Sequence, residues 1–213
     1  MFLLHQQKFN HGWLLITIEG NFFIMKKLLL ILILTLSFQS WTKADDIRDF
    51  EIEGMSIGDS LLDYFTKDEI ISAADVAYNN DKFYGKEIDA NNDVYQRFSF
   101  TLKKGDNKFL IYQLKGLIFV SYDECMKMKK DVVNDIKKVL NDFSENNYKG
   151  SYKEAYGKSF AEVTDLEVKG GFIRVWCDTF DKNLELTKYW DDSLSIDASN
   201  DEYLEWLNNK AYQ

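Results

Sequence analysis

Histidine is missing from the part of this sequence where an active site would be sought. Both histidines, His5 and His11, lie in the first 44 residues, and none follows. A Ser-His-Asp or Cys-His mechanism needs an imidazole as its general base, and catalytic zinc is usually bound by imidazoles. The sequence therefore excludes the commonest hydrolase mechanisms, and we predict no metal site and no cofactor site.

Pairs of aspartates are the remaining candidates for catalysis. Asp178 with Asp181, or Asp191 with Asp192, could supply the two acids of a glycoside hydrolase. Because residues 45–213 contain 34 acidic side chains, such pairs also arise by chance. We therefore predict no catalytic residue. A carboxylate-based hydrolase that acts on cell-envelope polysaccharide is the alternative function.

A calcium loop is suggested by the string Asp89-Ala90-Asn91-Asn92-Asp93, which has oxygen ligands at the first, third and fifth positions. Val94 stands where such a loop needs glycine, and Phe100 stands where it needs glutamate. The pattern therefore indicates a solvated turn.

Cys125 and Cys177 are the two cysteines of the chain. Cys125 falls on the apolar stripe of a predicted helix, and Cys177 shares a predicted strand face with Ile173 and Val175. An even pair on core-facing surfaces indicates one disulfide in an oxidising compartment. Two buried free thiols are the competing interpretation. A redox site is disfavoured because no C-x-x-C motif is present.

Residues 25–44, MKKLLLILILTLSFQSWTKA, have the layout of a secretory signal peptide. Two lysines begin it, an apolar run of eleven residues follows from Leu28 to Phe38, and small residues lead to a cut after Ala44. The run is shorter than the roughly 20 residues that a membrane-spanning helix needs. We predict a mature protein that begins at Asp45, has no stable membrane span and is periplasmic or secreted.

Residues 1–24 precede this signal and match no signal or fold pattern. A signal peptide begins at or near its own methionine, and Met25 stands at that point. We expect translation to begin at Met25, with residues 1–24 a mis-assigned extension. A long genuine leader and a helical hairpin anchor are the alternatives. Residues 45–213 are then the exported domain.

The predicted domain is strongly acidic. The first 44 residues hold four lysines and one glutamate, which leaves 22 basic and 34 acidic residues, a net charge of −12, in residues 45–213. Nucleic acid and anionic membranes repel such a chain, so we predict neither as a partner. The apolar and aromatic content, 46% and 15% of the whole chain, is enough for a packed core.

Alternating and helical patterns of apolar residues predict a single α+β domain, an antiparallel sheet of hairpins with helices packed on one face. Residues 108–120 are apolar on both faces near their end, so we place this strand centrally in the sheet. The predicted elements are a short edge strand (47–53), two short helices (57–65 and 67–75), a hairpin (97–103 with 108–120), a main helix (121–143), a loop (144–158), a second hairpin (161–168 with 172–180), a further segment (184–190), an edge strand (193–197) and a final helix from 199.

Three of the predicted helix starts carry the capping-box pattern, in which a hydroxyl residue is followed three positions later by glutamate. Such a pair satisfies backbone N–H groups that the first helical turn leaves without partners. The pairs are Thr66 with Glu69, Ser121 with Glu124, and Ser199 with Glu202.

The string GMSIGDSLL, residues 54–62, resembles one found just after the export signal in small bacterial proteins with no assigned role. The order of strand, G-M-S, two helices and strands is also similar to helix-helix-sheet modules in outer-membrane assembly lipoproteins and secreted β-lactamase inhibitor proteins. The chain departs from the lipoproteins, since no lipid-accepting cysteine follows the signal and no proline ends the helical pair. The resemblance covers about 25 residues and implies a protein-binding module, with no active site carried over.

Aromatic side chains are the best candidates for contacting a partner. Tyr148, Tyr152 and Tyr156 recur at intervals of four, so they could form a binding face or cover a helical turn. Aromatic residues are enriched at protein contacts, although a core needs them too. The candidate partner-binding residues are Tyr148, Tyr152, Tyr156, Tyr189, Trp190 and Trp206.

These observations favour a non-enzymatic binding or structural module in the cell envelope, with a protein or a small ligand as its partner. The shape of the site discriminates between the two functions. A flat aromatic patch would favour binding, whereas a deep cleft with two facing carboxylates would favour the hydrolase.

Overall fold

The computed structural model describes residues 44–76, 78–80, 82–90, 92–184 and 191–211. Strands and helices alternate along these ranges, with short 3-10 turns at 47–49, 61–63 and 154–156. The strands are β1 (Glu51–Ile52), β2 (Met55–Ser56), β3 (Ala74–Val76), β4 (Phe83–Asp89), β5 (Arg97–Lys103), β6 (Ile111–Phe119), β7 (Ser144–Ser151), β8 (Phe160–Val168), β9 (Gly171–Thr179) and β10 (Ser193–Asn200), and the α-helices are α1 (Lys67–Ser72), α2 (Tyr122–Val139) and α3 (Asp201–Asn209).

Eight of the described strands form one sheet in the order β3-β4-β5-β6-β10-β9-β8-β7. Every neighbouring pair in it is antiparallel. The strands β3 to β6 form one meander and β7 to β9 form another, and β10 joins the two by pairing with β6 and β9. The predicted antiparallel α+β architecture is therefore confirmed at this level.

The main hydrophobic core lies on one face of the sheet, which we call the helix face. Val175 and Cys177 of β9 and Leu194 and Ile196 of β10 lie on it, and all four are buried. The amphipathic helix α2 covers this half of the face, and apolar residues from the segment 44–72 belong to the same core cluster.

Cys125 and Cys177 form a disulfide, as the sequence predicts, with their Cα atoms 5.8 Å apart. Cys125 lies in the first turn of α2, and Cys177 lies near the end of β9. Because β9 lies in the second meander and α2 directly follows the first, the bond joins the two halves of the fold.

The opposite face of the sheet, which we call the polar face, carries the alternate side chains, including Arg174, Trp176 and Asp178 of β9. The helix α3 packs on this face through Trp206, whose ring centroid lies 5.0 Å from that of Phe83. The prediction that all helices pack on one face is therefore not confirmed, because α2 and α3 cover opposite faces.

Two strands differ from their predicted positions. Residues 193–197, predicted at an edge, begin the central strand β10, and residues 144–158, predicted as a loop, contain the edge strand β7. In β10 every second residue is serine or aspartate, a pattern typical of a half-exposed strand, yet Ser193, Ser195 and Ser199 are buried.

The helix starts also differ in detail from the predicted capping boxes. The Thr66–Glu69 box at α1 is confirmed, whereas Ser121 makes no side-chain cap at α2. At α3 the cap is Asn200, whose side chain accepts the backbone N–H of Tyr203. Ser199 instead donates its hydroxyl to Asp197 at 2.6 Å.

The limits of other elements also differ from the predicted ones. The predicted edge strand at 47–53 is a 3-10 turn followed by β1, and the helix predicted over 67–75 ends at Ser72 and is followed by β3. No element is predicted from the sequence for the residues that form β4. Of the predicted segment 184–190, all but Leu184 lies outside the described residues.

Candidate functional site

Three aromatic side chains lie together on the polar face, and we call them the aromatic platform: Tyr148, Tyr152 and Trp176. Tyr148 and Tyr152 are 39% and 37% exposed, among the most exposed large apolar residues described, and Trp176 is half-buried. Tyr148 pairs with Val163, which pairs with Trp176, so two strand spacings, about 10 Å, separate the backbones of Tyr148 and Trp176. The spacing of four that the sequence shows places both tyrosines on one face because strand side chains alternate.

The carboxylate of Asp178 holds two of these rings. The indole Nε1 of Trp176 donates to Asp178 Oδ2 at 2.7 Å, and the hydroxyl of Tyr152 donates to Oδ1. Burial raises the pKa of Asp178, while the two hydrogen bonds oppose that rise. Burial beside this carboxylate also raises the pKa of Tyr152. Both rings are therefore fixed at their polar ends.

Tyr148 is held by a second carboxylate. Its hydroxyl donates to Asp165 Oδ2 at 3.3 Å. The guanidinium of Arg174 donates hydrogen bonds to both oxygens of Asp165, from Nε at 2.6 Å and from a terminal nitrogen at 2.8 Å. Such a two-point pair fixes the position of the carboxylate and hence that of the tyrosine hydroxyl.

Beside the platform, β10 forms a strip of small polar side chains along the middle of the sheet. Ser195 pairs with Trp176 on one side and Leu117 on the other, so larger side chains flank it. Its hydroxyl is buried and has no hydrogen-bond partner among the described residues. Asp197, two residues on, accepts hydrogen bonds from Gln113 and Ser199, and burial raises its pKa.

The two buried aspartates of the polar face, Asp178 and Asp197, do not lie opposite each other on neighbouring strands. Asp178 pairs with Ser193, which lies four residues from Asp197 along β10. At roughly 3.3 Å per residue, their backbones are about 13 Å apart along the strands, so the two carboxylates are not a side-by-side pair.

Three of the four aspartates in the pairs suggested by the sequence accept hydrogen bonds within the fold. Asp178 holds the platform, whereas Asp181 accepts the backbone N–H groups of Lys158 and Asn183. Asp192 accepts the N–H of Phe180, and Asp191 is exposed.

The suggested calcium string is a turn where the structure describes it. Asn92 accepts the backbone N–H groups of Val94 and Tyr95 at 3.0 and 2.7 Å, and Asp89 forms an ion pair with Arg97. Within the described ranges, no group of three or more His, Cys, Asp or Glu side chains is arranged to hold a metal ion.

Of the remaining predicted contact residues, Tyr156 lies next to the platform, with its ring centroid 5.9 Å from that of Tyr152. Trp206 does not belong to the site: it is 2% exposed and packs in a second core cluster with Phe83. Tyr189 and Trp190 lie outside the described residues.

Sequence reasoning missed the partners that organise the platform. Trp176 and Arg174 alternate with the apolar residues of β9, so they lie on its other face. That alternation was visible in the sequence. The pairing that brings them next to Tyr148 and Asp165 was not, because it depends on the register between distant strands.

The chain matches no model of a known protein family, no curated protein and no solved structure. In the part of the chain that the structure describes, no helix is both long enough and apolar enough to cross a membrane. The function must therefore be inferred from the geometry of the site itself.

Proposed function

We propose that this chain is an exported, non-enzymatic binding protein whose aromatic platform contacts a partner in the cell envelope. The observation that carries the proposal is that Tyr148, Tyr152 and Trp176 have their polar ends hydrogen-bonded to carboxylates that are buried or half-buried, while the two tyrosines stay substantially exposed. A side chain that loses its choice of rotamers on binding costs about 0.5–1.5 kcal/mol, and rings that are already fixed avoid that cost.

A protein surface is the partner that this site favours. The platform lies on the face of a sheet, whereas small ligands usually bind in concave pockets. A cavity of about 390 Å³ is present near Tyr78, Phe83 and Tyr84, but these residues lie in or near β3 and β4, at the other edge of the sheet. Tyrosine and tryptophan are also enriched among the residues that dominate protein–protein binding energy.

The hydrolase alternative receives less support. Asp178 and Asp197 are separated by about 13 Å along the strands, as derived above from the strand register. Residues 45–213 also contain no histidine that could act as a base. An aromatic surface on the face of a sheet, with separated buried carboxylates, supports binding.

Export is part of the proposal, with cleavage after Ala44 and a periplasmic or secreted mature protein. The Cys125–Cys177 disulfide supports it, since disulfides persist in oxidising compartments. The backbone nitrogen of Asp45 lies 3.1 Å from Asp49 Oδ2, so a new terminal ammonium there would face a carboxylate. Terminal sequencing of the native protein should give Asp45 as the first residue, and a mature protein that retains Met25 would contradict cleavage.

A capture experiment with matched variants tests the binding function. Wild-type protein, Tyr148→Ala and Ile71→Ala are immobilised and exposed to a periplasmic extract. Ile71 is 58% exposed and lies in α1, away from the platform. Removing a ring that contributes more than 1 kcal/mol should weaken capture about fivefold or more in Tyr148→Ala, while Ile71→Ala should match wild type.

The captured partner is then titrated in solution while the tryptophan fluorescence of the protein is followed. A platform contact should change that emission, and Trp176→Phe should abolish the change. If Tyr148→Ala captures the same partner with unchanged affinity, the platform is not the binding surface. Hydrolysis of envelope polysaccharide that disappears in Asp178→Asn would favour the enzyme instead.

A further inference from the structure

The edge strand β7 is unusually open for pairing. It lies at the end of the sheet, contains eight residues, and all but Gly150 are exposed. Its pairing with β8 has no bulge, and the strand contains no proline. Bulges and prolines commonly protect edge strands from pairing with another chain, so β7 lacks both protections. The opposite edge, β3, has only three residues and is protected by its shortness.

One hydrogen bond shows which backbone groups of β7 point away from the sheet. Tyr152 donates its N–H to the carbonyl of Ser159 at 3.1 Å, which makes these two residues a hydrogen-bonded pair. Because such pairs recur at every second residue, the even-numbered residues of β7 bond to β8. The N–H and C=O groups of Glu145, Asn147 and Lys149 therefore point away from the sheet.

The charges on these outward-facing residues are self-complementary. Glu145 and Lys149 lie symmetrically about Asn147, on the same face of the strand. In an antiparallel pair of two β7 strands centred on Asn147, each Glu145 lies opposite Lys149 of the other copy. Centring the pair on Glu145 or on Lys149 would instead place like charges opposite each other, which is destabilising.

Lys149 does not block the edge. Its ammonium lies 3.5 Å from the centroid of the Phe160 ring and 3.0 Å from the carboxylate of Glu162, both on β8. The side chain is thus directed inward over the sheet. Glu145 is likewise paired with Lys137 of α2, so a second copy would extend an existing row of alternating charges.

We propose that β7 binds β7 of a second copy of this chain, antiparallel and centred on Asn147, to form a two-fold dimer. The three outward-facing residues of each strand would exchange about six backbone hydrogen bonds, and two Glu145–Lys149 pairs would fix the register. The two-fold axis is perpendicular to the sheet, so both polar faces point the same way. The two aromatic platforms then lie next to each other, with Tyr148 opposite Asn146 of the second copy.

Cysteine cross-linking tests this register on the exported protein with its native disulfide intact. Residues opposite each other in a hydrogen-bonded pair have Cα atoms about 5.5 Å apart, which a disulfide can bridge. Asn147→Cys should therefore form a covalent dimer under mild oxidation. Asn146→Cys and Tyr148→Cys are matched controls: each residue lies two positions from its own copy, beyond the roughly 7 Å limit.

Sedimentation across a concentration series tests the dimer itself. Wild type should reach twice the monomer mass, whereas Asn147→Pro should stay monomeric. The variant keeps the ladder bonds to β8, because the N–H of Asn147 points away from β8, although it loses the hydrogen bond from Thr164. A wild type that stays monomeric at every concentration would overturn the proposal, as would cross-linking of Asn146→Cys or Tyr148→Cys in place of Asn147→Cys. The outcome requires no envelope partner and so is independent of the proposed binding function.

Discussion

Asp197 lies in the middle of the sheet, on β10, and the residue is 8% exposed. Gln113 and Ser199 donate hydrogen bonds to it, and Arg174 and Lys115 lie across from it on the neighbouring strands. Burial nevertheless raises its pKa above the usual 3.8. The folded protein therefore holds this proton more tightly than the unfolded chain, so stability falls as the pH rises from 3.8 through the folded-state pKa.

Asp197→Asn should raise the melting temperature by a few degrees at neutral pH, because the amide removes the cost of a buried charge. The gain should shrink as the pH falls towards 3.8, where the wild-type carboxyl is also protonated. Melting curves between pH 4 and pH 8 measure it. Asp93→Asn removes an exposed charge and serves as the control. A gain that does not depend on pH would contradict the assignment.

Lys129 is a buried amine on α2, and burial lowers its pKa although Glu162 and Asp165 oppose the shift. Charging the amine in the folded state costs stability below the folded-state pKa, and this cost disappears as the pH rises towards 10.5. Lys129→Met should therefore melt a few degrees higher than wild type at pH 5, and the difference should shrink as the pH rises towards 10.5. The exposed neighbour Lys130 provides the control Lys130→Met. Equal melting temperatures for wild type and Lys129→Met would show that burying this charged amine costs no stability.

At the scale of the elements, Gly116 lets a side chain cross the central strand β6. A Cβ atom at this position would lie 2.3 Å from the ring of Tyr95. That ring is buried and lies 5.2 Å from the ring of Phe98, so it has little room to move. The glycine is thus required by close packing rather than by its backbone angles.

Gly116→Ala should lower the free energy of unfolding by about 1–3 kcal/mol, the usual cost of overpacking a core. Chemical denaturation is the measurement. Gly150→Ala is a matched control, since nothing lies within 4 Å of the added Cβ in β7. If both variants were equally stable, the Tyr95 contact would not constrain β6.

The elements that depend on local patterns were predictable. The Thr66–Glu69 capping box, the hairpin of β8 and β9 and the apolar stripe of α2 depend on residues close together in sequence. The position of β10 was not predictable in the same way. Its alternating serines and aspartate are typical of an edge strand, and their burial depends on the flanking strands β6 and β9.

The candidate site was predictable only in part, for the same reason. Tyr148 and Tyr152 could be chosen because a spacing of four also keeps residues on one face of a strand. Trp206 could not be separated from them, since aromatic side chains serve both cores and contacts. The roles of Asp178 and Asp165 required the register between β7, β8 and β9.

At the scale of the whole molecule, the disulfide closes a loop across the two meanders. Cys125 and Cys177 are 52 residues apart, for which the loop-entropy estimate is about 4 kcal/mol. The double variant Cys125→Ala with Cys177→Ala should therefore melt on the order of 10 °C lower than oxidised wild type. Reduced wild type should resemble the double variant. Equal melting temperatures for oxidised and reduced protein would show that the bond adds no stability.

The central position of β10 also has a consequence for biosynthesis. β10 follows every other described strand in the chain, yet it lies between β6 and β9. A chain synthesised from its N-terminal end therefore delivers both meanders before the strand that joins them. Until then the nine-residue strands β6 and β9 each present a bare edge, the kind of surface through which nascent proteins aggregate. Early oxidation of Cys125 and Cys177 would hold the two meanders of one molecule together. The position between β6 and β9 would then be filled by β10 of the same molecule.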